Sequence, residues 1–177
     1  MEFFSVRDGV RKLEFNGIKL AESSSRLPRK PRWVEFSVYR TPKGQYVVSR
    51  IGFSLFYHSA ECYTVTRNGL AAADGQDLSS DYIACDNCRP DRAPADGLVP
   101  VDGAKDEVYP ETPRFAAWVC TDALGVVSSL MKEDDNGTEY LTNVARRLLI
   151  EASKLDRDIA DAFYVDRIEW TLMSLSW

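Results

Sequence analysis

Apolar and polar residues alternate through much of the N-terminal third of the chain, a pattern typical of half-buried β-strands. Residues 33–40 and 45–52 are both rich in β-branched and aromatic residues, and the Thr-Pro-Lys-Gly sequence at 41–44 is typical of a turn. We therefore predict a hairpin of two central antiparallel strands. Residues 12–22 alternate around Asn16-Gly17 and fit either a tight hairpin turning at Asn-Gly or one bulged strand.

Helical spacing replaces this alternation in the second half of the chain. Residues 114–120 are apolar and predict a buried strand, after which Thr121 or Asp122 is expected to cap a helix that runs to Lys132. A single helix that begins at Pro113 is the alternative. It is less favourable, because a glycine would lie in its middle.

The strongest helical pattern begins after Thr138, which we expect to be the N-cap. Its apolar positions recur every three or four residues, as on the buried face of an amphipathic helix: Leu141, Val144, Ala145, Leu148, Leu149, Ala152 and Leu155. Asp156 is expected to cap a shorter helix that ends at Phe163, and residues 165–172 predict a closing strand.

The candidate chemistry is concentrated in residues 56–92, which hold the only histidine and three of the four cysteines. His58 and Cys62 form an H-x3-C pair, and Cys85 and Cys88 form a C-x2-C pair after a gap of 22 residues. Two short chelating pairs that can face each other suit tetrahedral zinc. A redox-active C-x2-C is the alternative, but it requires no histidine–cysteine partner. We predict a structural zinc site, because four protein ligands leave no position for a catalytic water.

This pattern, H-x3-C followed by C-x2-C-R-P from His58 to Pro90, resembles a known zinc module. It is similar to the N-terminal zinc domain of Ada-type DNA methyl-phosphotriester repair proteins and to related modules that end in C-x2-C-[RKQ]-P. In the repair proteins the first ligand is a cysteine that also accepts the methyl group, and His58 stands at that position here. The resemblance therefore implies a zinc ion but no methyl transfer.

The cysteine count and the N-terminal residues indicate in which cellular compartment the protein is expected. With three cysteines assigned to metal, no even-numbered disulfide framework is left. Cys120 lies in an apolar run and is expected to be a buried, unreactive thiol. The N-terminal residues lack the pattern of a secretion signal, and no apolar run reaches the roughly 18 residues of a membrane-spanning helix. We expect a soluble, cytoplasmic protein.

Strands followed by helices predict an α+β fold, with an antiparallel sheet, C-terminal helices and an inserted zinc-stapled loop. At 177 residues the chain can build one real core, so we expect a single domain, 1–177. Within it we expect a zinc-binding insertion over 56–92 and an irregular, proline-rich loop over 93–113, with residues 107–109 as an edge-strand candidate. The hairpin sequence YRTPKGQYVV and the order of elements also resemble the actinobacterial EXLDI family. The function of that family is not established, so this resemblance gives no information about activity.

The charge is unevenly distributed, with a net +6 on the first 70 residues and −11 on the rest. A polar, proline-bearing segment at 23–33 is the most basic part of the first half, and its cations can contact phosphates while its tryptophan can stack on a base. A solvated loop leading into the next strand is the alternative. The candidate nucleic-acid contacts, including two arginines beside the zinc ligands, are Arg29, Lys30, Arg32, Trp33, Arg89 and Arg92.

No catalytic constellation is evident. With His58 assigned to zinc, no histidine remains for a Ser-His-Asp or Cys-His arrangement, and no Walker loop, G-x-G-x-x-G or H-E-x2-H motif occurs. We therefore expect a non-enzymatic, zinc-stabilised module that contacts DNA or RNA as a regulatory or accessory protein, with no membrane and no small-molecule cofactor. A regulatory subunit that docks on a protein through its acidic second half is the alternative. A small enzyme with residues 89–113 as a lid ranks third.

Overall fold

The computed structural model describes residues 1–74, 81–88 and 107–164. This part of the chain is α+β, as predicted, with mainly antiparallel sheets and a group of helices toward its end. None of the helices within these residues is long and apolar enough to cross a membrane. The predicted closing strand at 165–172 lies outside the described residues.

The strands and helices follow one another along the chain. The strands are β1 Glu2–Asp8, β2 Arg11–Ser24, β3 Arg32–Arg40, β4 Tyr46–Ser54, β5 Phe56–Ser59, β6 Ala73–Asp74, β7 Ile83–Ala84, β8 Glu107–Pro110, β9 Arg114–Cys120, β10 Met131–Glu133 and β11 Glu139–Leu141. The helices are α1 Tyr63–Asn68, α2 Ala123–Leu130, α3 Asn143–Ser153 and α4, at residues 157–164.

The chain divides into two compact units. The first contains Met1–Arg26, Val34–Gly52 and the chain from Arg114 onward. The second contains Leu27–Trp33 and the chain from Phe53 to Pro113, which includes the expected zinc-binding insertion. The expectation of a single domain stays a prediction.

A five-stranded sheet in the order β1-β2-β3-β4-β9 forms the first unit together with its helices. Successive side chains of a strand point to opposite faces of the sheet, so neighbouring residues of the central strands enter two different clusters. Val38 and Val48 pack in the larger core with buried residues of α2, α3 and α4. Their neighbours Tyr39 and Val47 join a smaller cluster with residues of β1. The core of this unit therefore lies between the sheet and the helices.

The predicted hairpin of β3 and β4 is confirmed, and both strands are central in the sheet. Gly44 has a φ of 79° and donates its N–H to the Thr41 carbonyl at 3.0 Å, which closes the turn. After the hairpin, β4 ends at Ser54, and β5, which carries His58, begins after Leu55.

The hairpin predicted at Asn16-Gly17 is wrong, and the alternative of one bulged strand is confirmed. β2 runs through both residues, paired first with β1 and then, with a bulge, with β3. The turn lies instead at Gly9, where a φ of 58° suits a tight connection between β1 and β2. A Cβ on Gly17 would lie 2.7 Å from the Arg40 carbonyl oxygen. Glycine is therefore needed there because β3 approaches closely.

The first predicted helix is confirmed as α2, and Asp122 caps it by accepting a hydrogen bond from the Gly125 N–H at 2.8 Å. The preceding strand is also confirmed as β9, but it is only partly buried, and Val119 is exposed. Its last residue, Cys120, is buried as predicted. The helix ends at Leu130, because the next residues form β10 and pair with β11.

The prediction that Thr138 caps the long helix is wrong. Residues 139–141 form β11, and Thr142 is the N-cap of α3, accepting from the Ala145 N–H at 3.3 Å. The predicted apolar stripe is nevertheless buried over most of its length. Asp156 caps α4 as predicted, through a hydrogen bond from the Ile159 N–H at 3.0 Å.

The second unit contains a sheet in the order β6-β8-β5-β7. The strand predicted at 107–109 is confirmed as β8, but its predicted position at an edge is wrong, because β8 lies between β6 and β5. Residues 93–106 lie outside the described part of the chain. The short helix α1 was not predicted, because it has no apolar stripe. Among the described residues of this unit, the buried ones are His58, Cys62 and Glu111.

Candidate metal centre

The four side chains predicted to bind zinc lie together in the second unit. Their ligand atoms are all within 4.8 Å of one another and belong to His58, Cys62, Cys85 and Cys88. The cysteines are free thiols, so no disulfide occupies the C-x2-C pair. The cluster can hold a metal ion.

Short turns in the backbone position both ligand pairs. His58 is in β5, and the chain turns directly after it, since the Cys62 N–H donates to the Ser59 carbonyl at 3.0 Å. Cys62 stands at the N-cap of α1 without capping it through its side chain, so the thiol can face the cluster. In the second pair, the Cys88 N–H donates to the Cys85 carbonyl at 2.9 Å. β7 pairs with β5 and brings this second turn beside the first.

The spacing of the ligand atoms fits a tetrahedral ion. Zinc bonds of about 2.3 Å to sulfur and about 2.0 Å to nitrogen place the sulfurs about 3.8 Å apart, and nitrogen about 3.5 Å from sulfur. Cys62 Sγ lies 3.9 Å from Cys85 Sγ and 3.3 Å from His58 Nδ1, and Cys85 Sγ lies 3.4 Å from Cys88 Sγ. A disulfide would need about 2.05 Å. The cluster therefore has the dimensions of a metal site.

The thiols of the C-x2-C pair differ in acidity. Burial raises the pKa of Cys85 to about 11, and its hydrogen bond to Cys88 adds to the rise. Burial also raises the pKa of Cys88, but hydrogen bonds from the N–H and hydroxyl of Ser59, at 3.4 and 3.5 Å, together with those from the neighbouring cysteine thiols, outweigh it and leave this pKa below its usual value. Cys88 therefore loses its proton more easily than Cys85, and a bound cation would favour the thiolate of both.

His58 is 2% exposed, and both of its ring nitrogens have neighbours. Nδ1 faces Cys62, and Nε2 lies 3.3 Å from Glu111 Oε1. Burial raises the pKa of Glu111, but a hydrogen bond from Ser54 and the charge of Arg32 outweigh it and hold the pKa below its usual value. A carboxylate on the outer nitrogen of a ligating histidine is a common support of metal sites.

Glu111 and Ser59 were not predicted from the sequence; they contact His58 and Cys88 without belonging to the cluster. Ser59 adjoins His58, but its role depends on the fold bringing Cys88 close to it. Glu111 lies between two prolines in a polar stretch, and no spacing relates it to the ligands. Neither residue carries a signal in the sequence that would have identified it.

The predicted nucleic-acid contacts are not brought together as one surface of uncommitted side chains. Arg29 and Lys30 are exposed in the loop between β2 and β3. Arg32 forms an ion pair with Glu111, and Trp33 stacks on Phe53 with ring centroids 5.0 Å apart. The other two candidates, Arg89 and Arg92, lie outside the described residues.

Comparison with known proteins gives no family for the fold and site described above. No protein-family model, curated protein or solved structure matches the chain. The resemblances to Ada-type zinc modules and to the EXLDI family therefore stay predictions from the sequence.

Proposed function

We propose that the cluster binds one structural zinc ion and that the protein is a non-enzymatic, zinc-stabilised binding module. The observation that carries the proposal is the convergence of one histidine and three cysteines within 4.8 Å. Thiolate and imidazole ligands in a tetrahedral arrangement favour zinc. Four protein ligands also fill the coordination shell, which favours a structural ion over a catalytic one.

The composition of the second unit supports a structural role. Among its described residues, the only buried hydrophobic side chain is that of Cys62, itself a ligand. These described residues form no apolar core of their own, so this part of the unit needs another source of stability. Structural zinc sites contribute apparent binding free energies on the order of 10 kcal/mol at neutral pH. A bound ion would therefore supply stability that the described residues of this unit do not gain from apolar burial.

Metal analysis of the purified, reduced protein tests this proposal. We expect close to one zinc per chain, and we expect Cys85→Ser to lose the ion, because one of four ligands is removed. Chelation should disorder the second unit, as shown by loss of protected amides in β5 and β8. Cys120→Ser is the matched control, since Cys120 lies outside the cluster and should retain full zinc content.

Two results would contradict the structural zinc site. One is protein purified without metal in which a disulfide joins Cys85 and Cys88, because that would indicate a redox pair. The other is a chelated protein whose second unit keeps its amide protection. Zinc bound at one equivalent in both the parent and Cys85→Ser would place the ion elsewhere.

For the partner of this module we propose nucleic acid. Support comes from the net charge of +6 on the first 70 residues, from the exposed Arg29 and Lys30, and from the resemblance of residues 56–92 to a DNA-repair zinc module. A protein partner that docks on the acidic second half is the alternative. Binding of nucleic acid at different salt concentrations separates the two.

A further inference from the structure

A continuous series of polar contacts leads from Arg32, in the segment at 23–33, to the metal cluster. Arg32 Nη2 lies 2.6 Å from Glu111 Oε1, and the same oxygen lies 3.3 Å from His58 Nε2. The other nitrogen of this imidazole, Nδ1, is 3.3 Å from Cys62 Sγ. All four residues belong to the second unit. The contacts therefore connect the guanidinium to the metal ligands through one carboxylate and one imidazole.

The Glu111 carboxylate in this series of contacts is held in place from several sides. Glu111 is 9% exposed, and its backbone N–H donates to the Phe56 carbonyl at 2.9 Å. The Arg32 guanidinium lies over the Phe56 ring, 4.8 Å from its centroid, and also approaches Ser54 Oγ at 3.5 Å. A buried carboxylate needs such partners, because the loss of its hydration is otherwise uncompensated. The carboxylate end of the pair is therefore fixed within the unit, while the Arg32 side chain, 61% exposed, reaches it from the surface.

The position of Glu111 determines how His58 can bind metal. A carboxylate oxygen accepts hydrogen bonds, so Nε2 beside it carries the proton and Nδ1 is left with a free lone pair. That lone pair is on the side of Cys62 and the other ligands. The same contact keeps the ring from rotating out of the cluster.

We propose that Glu111 is a positioning residue of the metal centre and that Arg32 acts on the metal through Glu111. The inference rests on the proposed zinc site. It adds to that site a coupling between the metal and Leu27–Trp33, the part of segment 23–33 that belongs to the second unit. It also assigns Arg32 a role other than the phosphate contact expected from the sequence. Arg29, Lys30 and Arg32 are all exposed, but Arg32 is committed to Glu111 by its ion pair.

Metal affinity in single and double variants tests the inference. Competition of each reduced protein with a chromophoric chelator for zinc should show about 10-fold weaker binding for Glu111→Gln, at the lower end of the effects seen for such supporting groups. Arg32→Gln should weaken binding less. Combined with Glu111→Gln, it should cause almost no further loss, because its effect passes through the carboxylate.

Arg40→Gln is the matched control. Arg40 forms an ion pair of the same 2.6 Å length with the buried Asp156, but this pair is in the first unit and includes no metal ligand. The control should lose stability and keep its zinc affinity. Unchanged affinity in Glu111→Gln, or an Arg32→Gln effect equally large with and without Glu111, would overturn the inference.

Nitrogen NMR of the zinc-loaded parent protein provides a second test that needs no variant to fold. The His58 signals should show a protonated Nε2 and a metal-bound Nδ1. Coordination through Nε2 would overturn the inference while leaving the zinc site itself intact. A parent protein that binds no zinc would instead overturn the proposed function, so the two failures are distinguishable.

Discussion

Cys120 differs from the other cysteines in the surroundings of its thiol. It is buried at the end of β9 and lies outside the metal cluster. Burial raises the pKa of this thiol and the charge of Asp122 raises it further, while a hydrogen bond with Ser129 offsets part of the rise. The thiolate is the reactive form of cysteine, so Cys120 should be inert at neutral pH.

The raised pKa predicts a loss of stability in alkali. The fold favours the protonated thiol, so the contribution of Cys120 is complete below the unfolded pKa of about 8.5 and disappears as the pH rises through the higher folded value. Urea unfolding of the zinc-loaded protein should therefore show a midpoint that falls between pH 8 and pH 10. Cys120→Ala should show a smaller fall over this window. An equal fall in both proteins would assign the effect to other groups.

At the scale of single residues, the members of the metal-binding cluster could be predicted from the sequence, but the residues that contact them could not. His58, Cys62, Cys85 and Cys88 have residue types and spacings that few other sites share. Glu111 has neither, and its carboxylate reaches the histidine only because β8 pairs with β5. Supporting residues of this kind come from the fold and leave no local pattern.

At the scale of elements, the N-caps show how local signals compete. Thr138 and Thr142 both precede the apolar stripe of α3, and both are suitable capping residues. The strand pair β10–β11 takes residues 139–141 out of the helix, which leaves Thr142 to accept the Ala145 N–H. The sequence therefore predicted the buried face of α3 correctly and its start incorrectly. Strand pairing between distant residues, which periodicity cannot show, made the difference.

Substitution of the two threonines tests this assignment. Thr142→Ala should lower the free energy of unfolding by about 1 kcal/mol, because a helix N–H loses its partner. Thr138→Ala, at an exposed position in the β10–β11 connection, is the control and should change it by less than about 0.5 kcal/mol. Urea unfolding followed by circular dichroism measures both. A larger effect at Thr138 would contradict the observed start of α3.

At the scale of the whole molecule, charge is the property that bears on a partner. The first 70 residues are basic and the rest are strongly acidic, so any nucleic acid must contact a selected part of the protein. In the segment expected to do this, Arg32 and Trp33 have partners within the fold, whereas Arg29 and Lys30 are exposed. The proposed contact therefore depends mainly on two cations.

Salt dependence tests this contact. Replacing Arg29 and Lys30 with alanine should weaken binding of DNA or RNA about equally for all sequences and lower the magnitude of the salt slope by up to about 2. Lys12→Ala with Lys43→Ala removes the same charge from exposed positions elsewhere and should have little effect. Equal losses in both variants would indicate attraction by net charge alone. No retention of the parent protein at low salt would favour the protein-partner alternative.

The pairing of Gly52 with Arg114 has a consequence for how the chain tolerates change. These residues are direct partners where β4 meets β9, although residues 53–113 separate them in sequence. The free-energy cost of closing a flexible loop, which comes from lost chain entropy, rises by only about 0.6 kcal/mol for each doubling of loop length. Insertions and deletions between the two residues therefore have little effect on the closure of β9 against β4. The segment 53–113 can therefore change in length while β4 and β9 stay paired and the five-stranded sheet keeps its strand order.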